Sequence, residues 1–256
     1  MTRRITAVLF DLGETLVHSP EAAWDHGLRL AQVRVDALLL SWGVAPDALL
    51  ARRVYEAAQA AELVAYRGDC TLPPLWSEAR AAAAARGLCL SEEQARELWE
   101  ACRIDERALG RSLAPDGIET LAWLRGRGFR LGCVTNTLFG GPPFLEGLRQ
   151  DGLSHYLGVV SVSCDLGFVK PHPEMFQHAL SALGAVPEQA LMVGDSLRAD
   201  VGGAKALGMT AVWKRRTDGF PDIERALIRA GLGPTFEPDH VIDSLLAANG
   251  AAPPEP

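Results

Sequence analysis

Polar side chains stand at or just beyond the ends of several apolar runs, and their types suit the joint handling of a phosphoryl group and a divalent cation. Asp11 follows Ala7-Val8-Leu9-Phe10, and Thr135-Asn136 follows Leu131-Gly132-Cys133-Val134. Lys170 comes shortly after the run 159–164, and Asp195 follows Leu191-Met192-Val193-Gly194. A buried parallel strand that ends in a carboxylate delivers it to the carboxyl edge of a sheet, where open α/β folds place their ligands. A carboxylate pair, a hydroxyl and an ammonium converging there could hold a cation and a phosphate together, the cation offsetting repulsion between an acidic protein and an anionic substrate. Asp11 is the candidate nucleophile. On its own, a strand ending in Asp reads equally as a polar turn or a helix cap. Four strand ends in one alternating series carry the argument for a site.

The elements that would position these residues fall into two textures. After Leu16 the pattern is helical for almost a hundred residues, with helices expected at 20–42, 46–66 and 75–86 and a fourth opened by Ser91-Glu92-Glu93-Gln94, fading near Gly110. From Leu113 strands and helices alternate: helices at 118–127, 144–152, 174–183 and 200–207, strands at 130–134, 159–164, 190–193 and 209–213, and a terminal helix near 241–248. Such alternation implies an α/β fold, a mostly parallel sheet wound with helices on both faces. The expected organisation is a core of residues 1–16 and 113–256 with an all-helical insertion of 17–112. The tail 251–256, with three prolines, cannot continue a helix.

Composition narrows the partners. The net charge is −7, and the short basic patches at Arg125, Arg127 and Arg130 and at Lys214-Arg215-Arg216 read as solvated faces, so no nucleic-acid surface is expected. No apolar stretch reaches the length of a membrane span. The five cysteines are odd in number and show no C-x-x-C spacing, which suggests neither a disulfide framework nor a zinc site and fits a cytoplasmic protein. Cys133 and Cys164, both inside apolar runs, read as small core residues.

Across nearly its whole length the sequence resembles the haloacid dehalogenase-like (HAD) hydrolases, most closely phosphatase-like members with a helical cap after the first strand. The matching stretches are Asp11-Leu12-Gly13-Glu14-Thr15-Leu16, Val134-Thr135-Asn136, Val169-Lys170-Pro171-His172-Pro173 and Gly194-Asp195-Ser196-Leu197-Arg198-Ala199-Asp200. The resemblance implies a Rossmann-like core, an aspartyl-phosphate formed on Asp11, and Mg²⁺ as cofactor. It implies that Thr135 hydrogen-bonds the phosphoryl oxygens, Asn136 shapes that pocket, and Lys170 offsets the charge of phosphate and Asp11. Asp11, Asp195, Asp200 and the Gly13 carbonyl would serve the metal, and the substrate would be a small phosphorylated metabolite.

One departure matters. Family phosphatases usually carry an acid/base Asp two residues after the nucleophile, and here that place is Gly13, which cannot transfer a proton. Glu14 is adjacent but would point to the opposite side of an extended backbone. His18, at the crossing into the helical segment, is the candidate surrogate acid/base. Two other readings stand beside the phosphatase: a haloacid dehalogenase, which needs no acid for a halide leaving group, and a catalytically impaired phosphate- or protein-binding module. The helical segment would act as a lid, with Tyr66, Arg67 and Trp76 as candidate substrate contacts.

Overall fold

The computed structural model describes residues 4–19, 23–105, 107–216 and 236–245. Strand β1 (Ala7–Phe10) is flanked on one side by β4 (Arg130–Thr135) and β5 (Val159–Val162). On its other side lie β6 (Ala190–Gly194), β7 (Thr210–Lys214) and β8 (His240–Ile242), giving the order β5-β4-β1-β6-β7-β8. Every pair is parallel. A central strand of such a sheet is covered on both faces, and β1 is buried along its whole length.

The alternation of side chains along β1 sorts the core into two layers. Ala7 and Leu9 join the cluster that contains Met175, Phe176 and Ala179 of helix α8 (Pro173–Leu183). Val8 and Phe10 join the opposite cluster, with Leu121 of α5 (Gly117–Gly126) and Leu148 of α6 (Gly141–Gln150). The sheet is thereby held between helices, as the alternating pattern predicts.

Between β2 (Val17–His18) and β3 (Ser112–Leu113) lie four helices: α1 (Ala23–Ser41), α2 (Leu50–Arg67), α3 (Leu75–Ala84) and α4 (Glu92–Ala101). They share a hydrophobic cluster that includes Leu39, Val54, Leu98 and Trp99. The start of α4 follows its sequence signature: Gln94 N donates to Ser91 Oγ, and Ser91 N donates to Gln94 Oε1. Where the chain leaves and re-enters the α/β part, β2 and β3 pair antiparallel, Val17 opposite Leu113 and His18 opposite Ser112.

The helical part also rests directly on the loops of the α/β part. Leu72 N donates to Gly167 O and Val169 N to Cys70 O, and Phe139 stacks on Trp99 with ring centroids 4.6 Å apart. Arg198 reaches across to Tyr66, its Nη2 2.6 Å from the Tyr66 carbonyl and its guanidinium over the ring. Trp76 lies under the Arg96 guanidinium. Tyr66 is thus engaged by Arg198, Trp76 also lines a cavity between α3 and α4, and Arg67 ends α2 as an exposed last-turn base.

Several boundaries differ from expectation. Helix α4 stops at Ala101 instead of fading near Gly110. The run 159–164 divides: β5 ends at Val162, and Ser163–Leu166 forms a short helix, α7, closed by Gly167 in the left-handed conformation. Cys164 thus lies half-buried on a helix, whereas Cys133 is fully buried in β4. The expected terminal helix begins as strand β8, whose His240 aligns with Val212; residues 246–248 and the tail 251–256 lie outside the described residues. Three residues of hydrogen bonding to a neighbouring strand settle what periodicity over so short a stretch cannot.

Candidate active site

The register of the sheet brings the strand ends together. Phe10 aligns with Cys133 of β4 and Val193 of β6, so Asp11 is level with Val134 and Gly194, and Thr135 and Asp195 stand one residue further along the same edge. Asp11 N continues the ladder by donating to Val193 O at 2.9 Å. The short helix α9 (Gly203–Ala206) follows a wider helical turn, Leu197–Gly202, that carries Asp200. That turn is pinned on both sides: Ser196 Oγ accepts from Ala199 N, and Ser196 N donates to Asp200 Oδ2 at 3.0 Å. Gly194 permits the close approach, since a Cβ there would fall on the Asp200 carboxylate.

Lys170 is the hub. Its Nζ donates to Asp11 Oδ1 at 2.5 Å and to Asp200 Oδ1 at 2.7 Å, and all three side chains are buried. Burial by itself would push the ammonium down, but the charges of Asp11 and Asp200 outweigh it and hold Lys170 protonated, its pKa raised. Asn136 fastens this lysine from behind, its Oδ1 accepting from Lys170 N at 2.8 Å. Asn136 therefore positions Lys170 as well as bordering the pocket.

Asp195 completes a cluster with Asp11 and Asp200 in which carboxylate oxygens, one from each residue, lie within 4.8 Å of one another. The Asp195 backbone is held by Trp213 Nε1, which donates to its carbonyl at 2.8 Å. Burial, and then the charges of Asp11 and Asp200, push the Asp195 carboxyl up to about 8. Burial likewise pushes Asp200 up to about 7, with Lys170 pulling against it. Three crowded carboxylates with a single ammonium form an all-oxygen donor set with excess negative charge, and that fits a hard divalent cation such as Mg²⁺.

A cavity of about 440 Å³ opens beside this cluster, lined by Gly13, Glu14, Trp24, Thr135, Asn136 and Arg216 among others. A second, of about 550 Å³, lies between α3, α4 and the loops around Gly140 and Leu166, and neither described lining includes Asp11, Asp195 or Asp200 themselves. Thr135 is buried, with its Oγ1 3.5 Å from the Asn136 carbonyl. At Gly13 a Cβ would meet nothing within 4 Å.

His18 does not join the cluster. Its Nδ1 is 2.9 Å from Glu14 Oε2, and it is outside the described lining of the cavity. An extended backbone would turn Glu14 away, but its φ of 56° breaks the extended run, and Glu14 is among the residues that line the cavity. Its carbonyl accepts from Lys214 Nζ at 2.9 Å.

Of the basic patch 214–216, Arg215 pairs with the exposed Asp243 and Arg216 is exposed, as a solvated face requires, and Lys214 departs from that reading. Lys214 is buried, and Arg216 has Nη2 3.6 Å from Glu14 Oε2 and Nη1 3.9 Å from Asp195 Oδ2. The signal was present: 209–213 reads as a strand of the same sheet, so the residues after it stand at the same carboxyl edge.

The family description haloacid dehalogenase-like hydrolase matches residues 5–208. A phosphoserine phosphatase of Thermus thermophilus is 42% identical over 126 residues, 48% of this chain and 48% of that protein, so the match spans about half the relative's length. A phosphoglycolate phosphatase of Salmonella typhi is 34% identical over 217 residues, 82% of this chain and 81% of that protein. Among solved structures, a HAD phosphatase from Thermococcus onnurineus superposes with a TM-score of 0.55 at 28% identity, covering 96% of this chain and 98% of that one. No helix among the described residues is long and apolar enough to cross a membrane.

Proposed function

The chain belongs to the haloacid dehalogenase-like hydrolases, and on that premise we propose that it is a Mg²⁺-dependent phosphatase of a small phosphorylated metabolite, with Asp11 as nucleophile. The observation that carries this reading is the convergence of the Asp11, Asp195 and Asp200 carboxylates within 4.8 Å of one another at one sheet edge, with the Lys170 ammonium on Asp11 and Asp200. Halide displacement from carbon needs no divalent cation, so a three-carboxylate cluster favours phosphoryl transfer over dehalogenation. The phosphatase names carried by the relatives point the same way.

In the first half-reaction an Asp11 oxygen attacks phosphorus; the new Asp11–phosphorus bond forms as the bond to the leaving oxygen breaks. Lys170 keeps Asp11 in place and offsets the charge that accumulates when phosphate joins it. Thr135, on the cavity wall, donates its hydroxyl to a phosphoryl oxygen. In the second half-reaction a water oxygen attacks phosphorus and Asp11 departs as carboxylate. Asp11, Asp195 and Asp200, with the Gly13 carbonyl, would hold Mg²⁺, which when bound supplies positive charge to the phosphoryl oxygens. Residues 17–112 act as the cap over this edge, and β2 and β3 form the crossing on which it moves.

The test is phosphate release with Mg²⁺ from acetyl phosphate, an aryl phosphate and sugar 1- and 6-phosphates, comparing wild type with Asp11→Asn. Turnover that Asp11→Asn abolishes is the expected result. Silence of the wild type across the panel, with phosphate still raising the melting temperature, would instead identify a binding module.

A further inference from the structure

Helix α1 carries two apolar faces. The inner one, Leu28, Ala31, Val35 and Leu39, is buried in the cluster that the four helices share. On the opposite side of the helix stand Leu30, Val33, Ala37 and Leu40, all exposed, the three larger side chains at 41%, 68% and 61%. Their spacing of three, four and three residues is an a/d repeat, the narrow seam along which one helix packs on another. A surface helix ordinarily turns polar residues away from its core, and a helix that is apolar on both sides is one covered on both sides.

The residues beside the seam say what covers it. One flank carries Arg29, exposed, and two turns later Asp36, half-buried, whose Oδ1 accepts from Gln32 Nε2 at 2.7 Å. The other carries Ser41 and Arg34, whose guanidinium donates to the Ala101 and Arg103 carbonyls and is thereby held by its own chain. When a helix packs antiparallel on a copy of itself, each flank meets the same flank running the other way. That sets Arg29 of each copy toward Asp36 of the other, and the seam meets itself with Val33 against the small Ala37 and Leu30 against Leu40. A parallel pair would instead bring Arg29 of one copy to Arg34 of the other.

We propose that the outer face of α1 is a homodimer interface, packed antiparallel on α1 of a second copy about a two-fold axis at the level of Val35. The seam is self-complementary in shape and in charge, which is what a two-fold contact requires. At 19 residues α1 is about 28 Å long, and a single helix pair of that length belongs to the class of interfaces that bury less than about 1,200 Å². The dimer is therefore reversible and its population follows protein concentration. It draws on none of the residues assigned to the catalytic edge, so it stands or falls apart from the phosphatase reading.

Sedimentation velocity of the full chain from about 1 to about 200 µM reads the equilibrium. The wild type should pass from monomer to dimer across the series. The double variant Val33→Glu with Leu40→Glu should weaken association at least about 30-fold, with the melting temperature at the dilute end unchanged because both side chains are exposed in the monomer. Asp36→Arg alone should also weaken it, and Arg29→Asp combined with Asp36→Arg should restore it, since the exchange re-forms both pairs. A wild type that stays monomeric at every concentration overturns the proposal and leaves the seam to a different protein. A dimer that survives Val33→Glu with Leu40→Glu places the contact elsewhere and overturns it equally. Failure of the charge exchange to restore association in a folded variant overturns the antiparallel packing.

Discussion

Titrating the protein from about pH 5 to about pH 8, with and without Mg²⁺, tests the acidic cluster without any substrate. Burial and the charges of Asp11 and Asp200 push Asp195 up to about 8, and burial pushes Asp200 up to about 7, both from an ordinary value of 3.8. The unfolded chain therefore loses these protons near pH 4, while the folded, cation-free chain keeps them until near neutrality. Between those values the folded state binds more protons than the unfolded one, so stability is greatest at low pH and falls as pH rises. Each retained proton contributes a slope of about 1.4 kcal/mol per pH unit, and the two carboxyls titrate as a coupled pair.

A divalent cation takes the deprotonated carboxylates and displaces those protons, so its stabilisation grows over the same interval in which the cation-free protein weakens. For a chain of this length 1 kcal/mol corresponds to about 2–4 °C in melting temperature. With one proton displaced, the Mg²⁺-induced increase in melting temperature should therefore widen by about 3–5 °C per pH unit, levelling off once both carboxyls are ionised. Asp195→Asn should flatten both the intrinsic slope and the Mg²⁺ response. Differential scanning fluorimetry across the pH series reads all of this. A Mg²⁺ shift of the same size at both ends of the range, or one that survives Asp195→Asn, would refute the assignment of the cluster as a cation site.

The other predictions follow from the same contacts. Lys170→Met leaves Asp11 and Asp200 buried without their ammonium and should cost about 3–5 kcal/mol by chemical denaturation, less where Asp200 can take up a proton, together with all measurable turnover. Gly13→Asp introduces a carboxyl where a Cβ meets nothing within 4 Å and the backbone is not left-handed. It should raise kcat/KM on alkyl phosphates by about 10²–10⁴-fold while changing acetyl phosphate little, and a folded variant with no such gain would mean that the leaving oxygen lies out of reach of position 13.

Which parts of this molecule were legible in the sequence depended on whether the signal was local. The capping box at Ser91 and Gln94 is four residues long, and it stands in the structure as written. The apolar runs gave the strands, and each strand end gave a candidate residue because side-chain type and position within the run travel together. The order β5-β4-β1-β6-β7-β8 was not written in any one stretch; it follows from pairing between segments up to 180 or so residues apart. Chemistry and a place at a crossing single out His18 in the sequence, and its pairing with Glu14 is visible only in the structure. A run of three basic residues looks solvated throughout until the strand before it is known to end at the site, where Lys214 is buried.

Glu14 shows why local reasoning fails at this turn. The glycine at position 13 has an ordinary backbone, while the glutamate beside it takes the left-handed conformation with φ 56°. A non-glycine residue there costs about 1–2 kcal/mol, so its surroundings must hold it. They do so on both backbone and side chain: Glu14 N donates to Val17 O at 2.7 Å, Lys214 Nζ donates to Glu14 O, and the carboxylate meets His18 Nδ1 and faces Arg216. His18 is part of β2, which pairs with β3 where the chain returns from the helical segment, whereas Lys214 ends β7 of the core sheet. The strained residue therefore joins the crossing strand to the sheet edge that carries Asp11, and a movement of the crossing would be felt first at the Glu14 carboxylate and at the guanidinium opposite it.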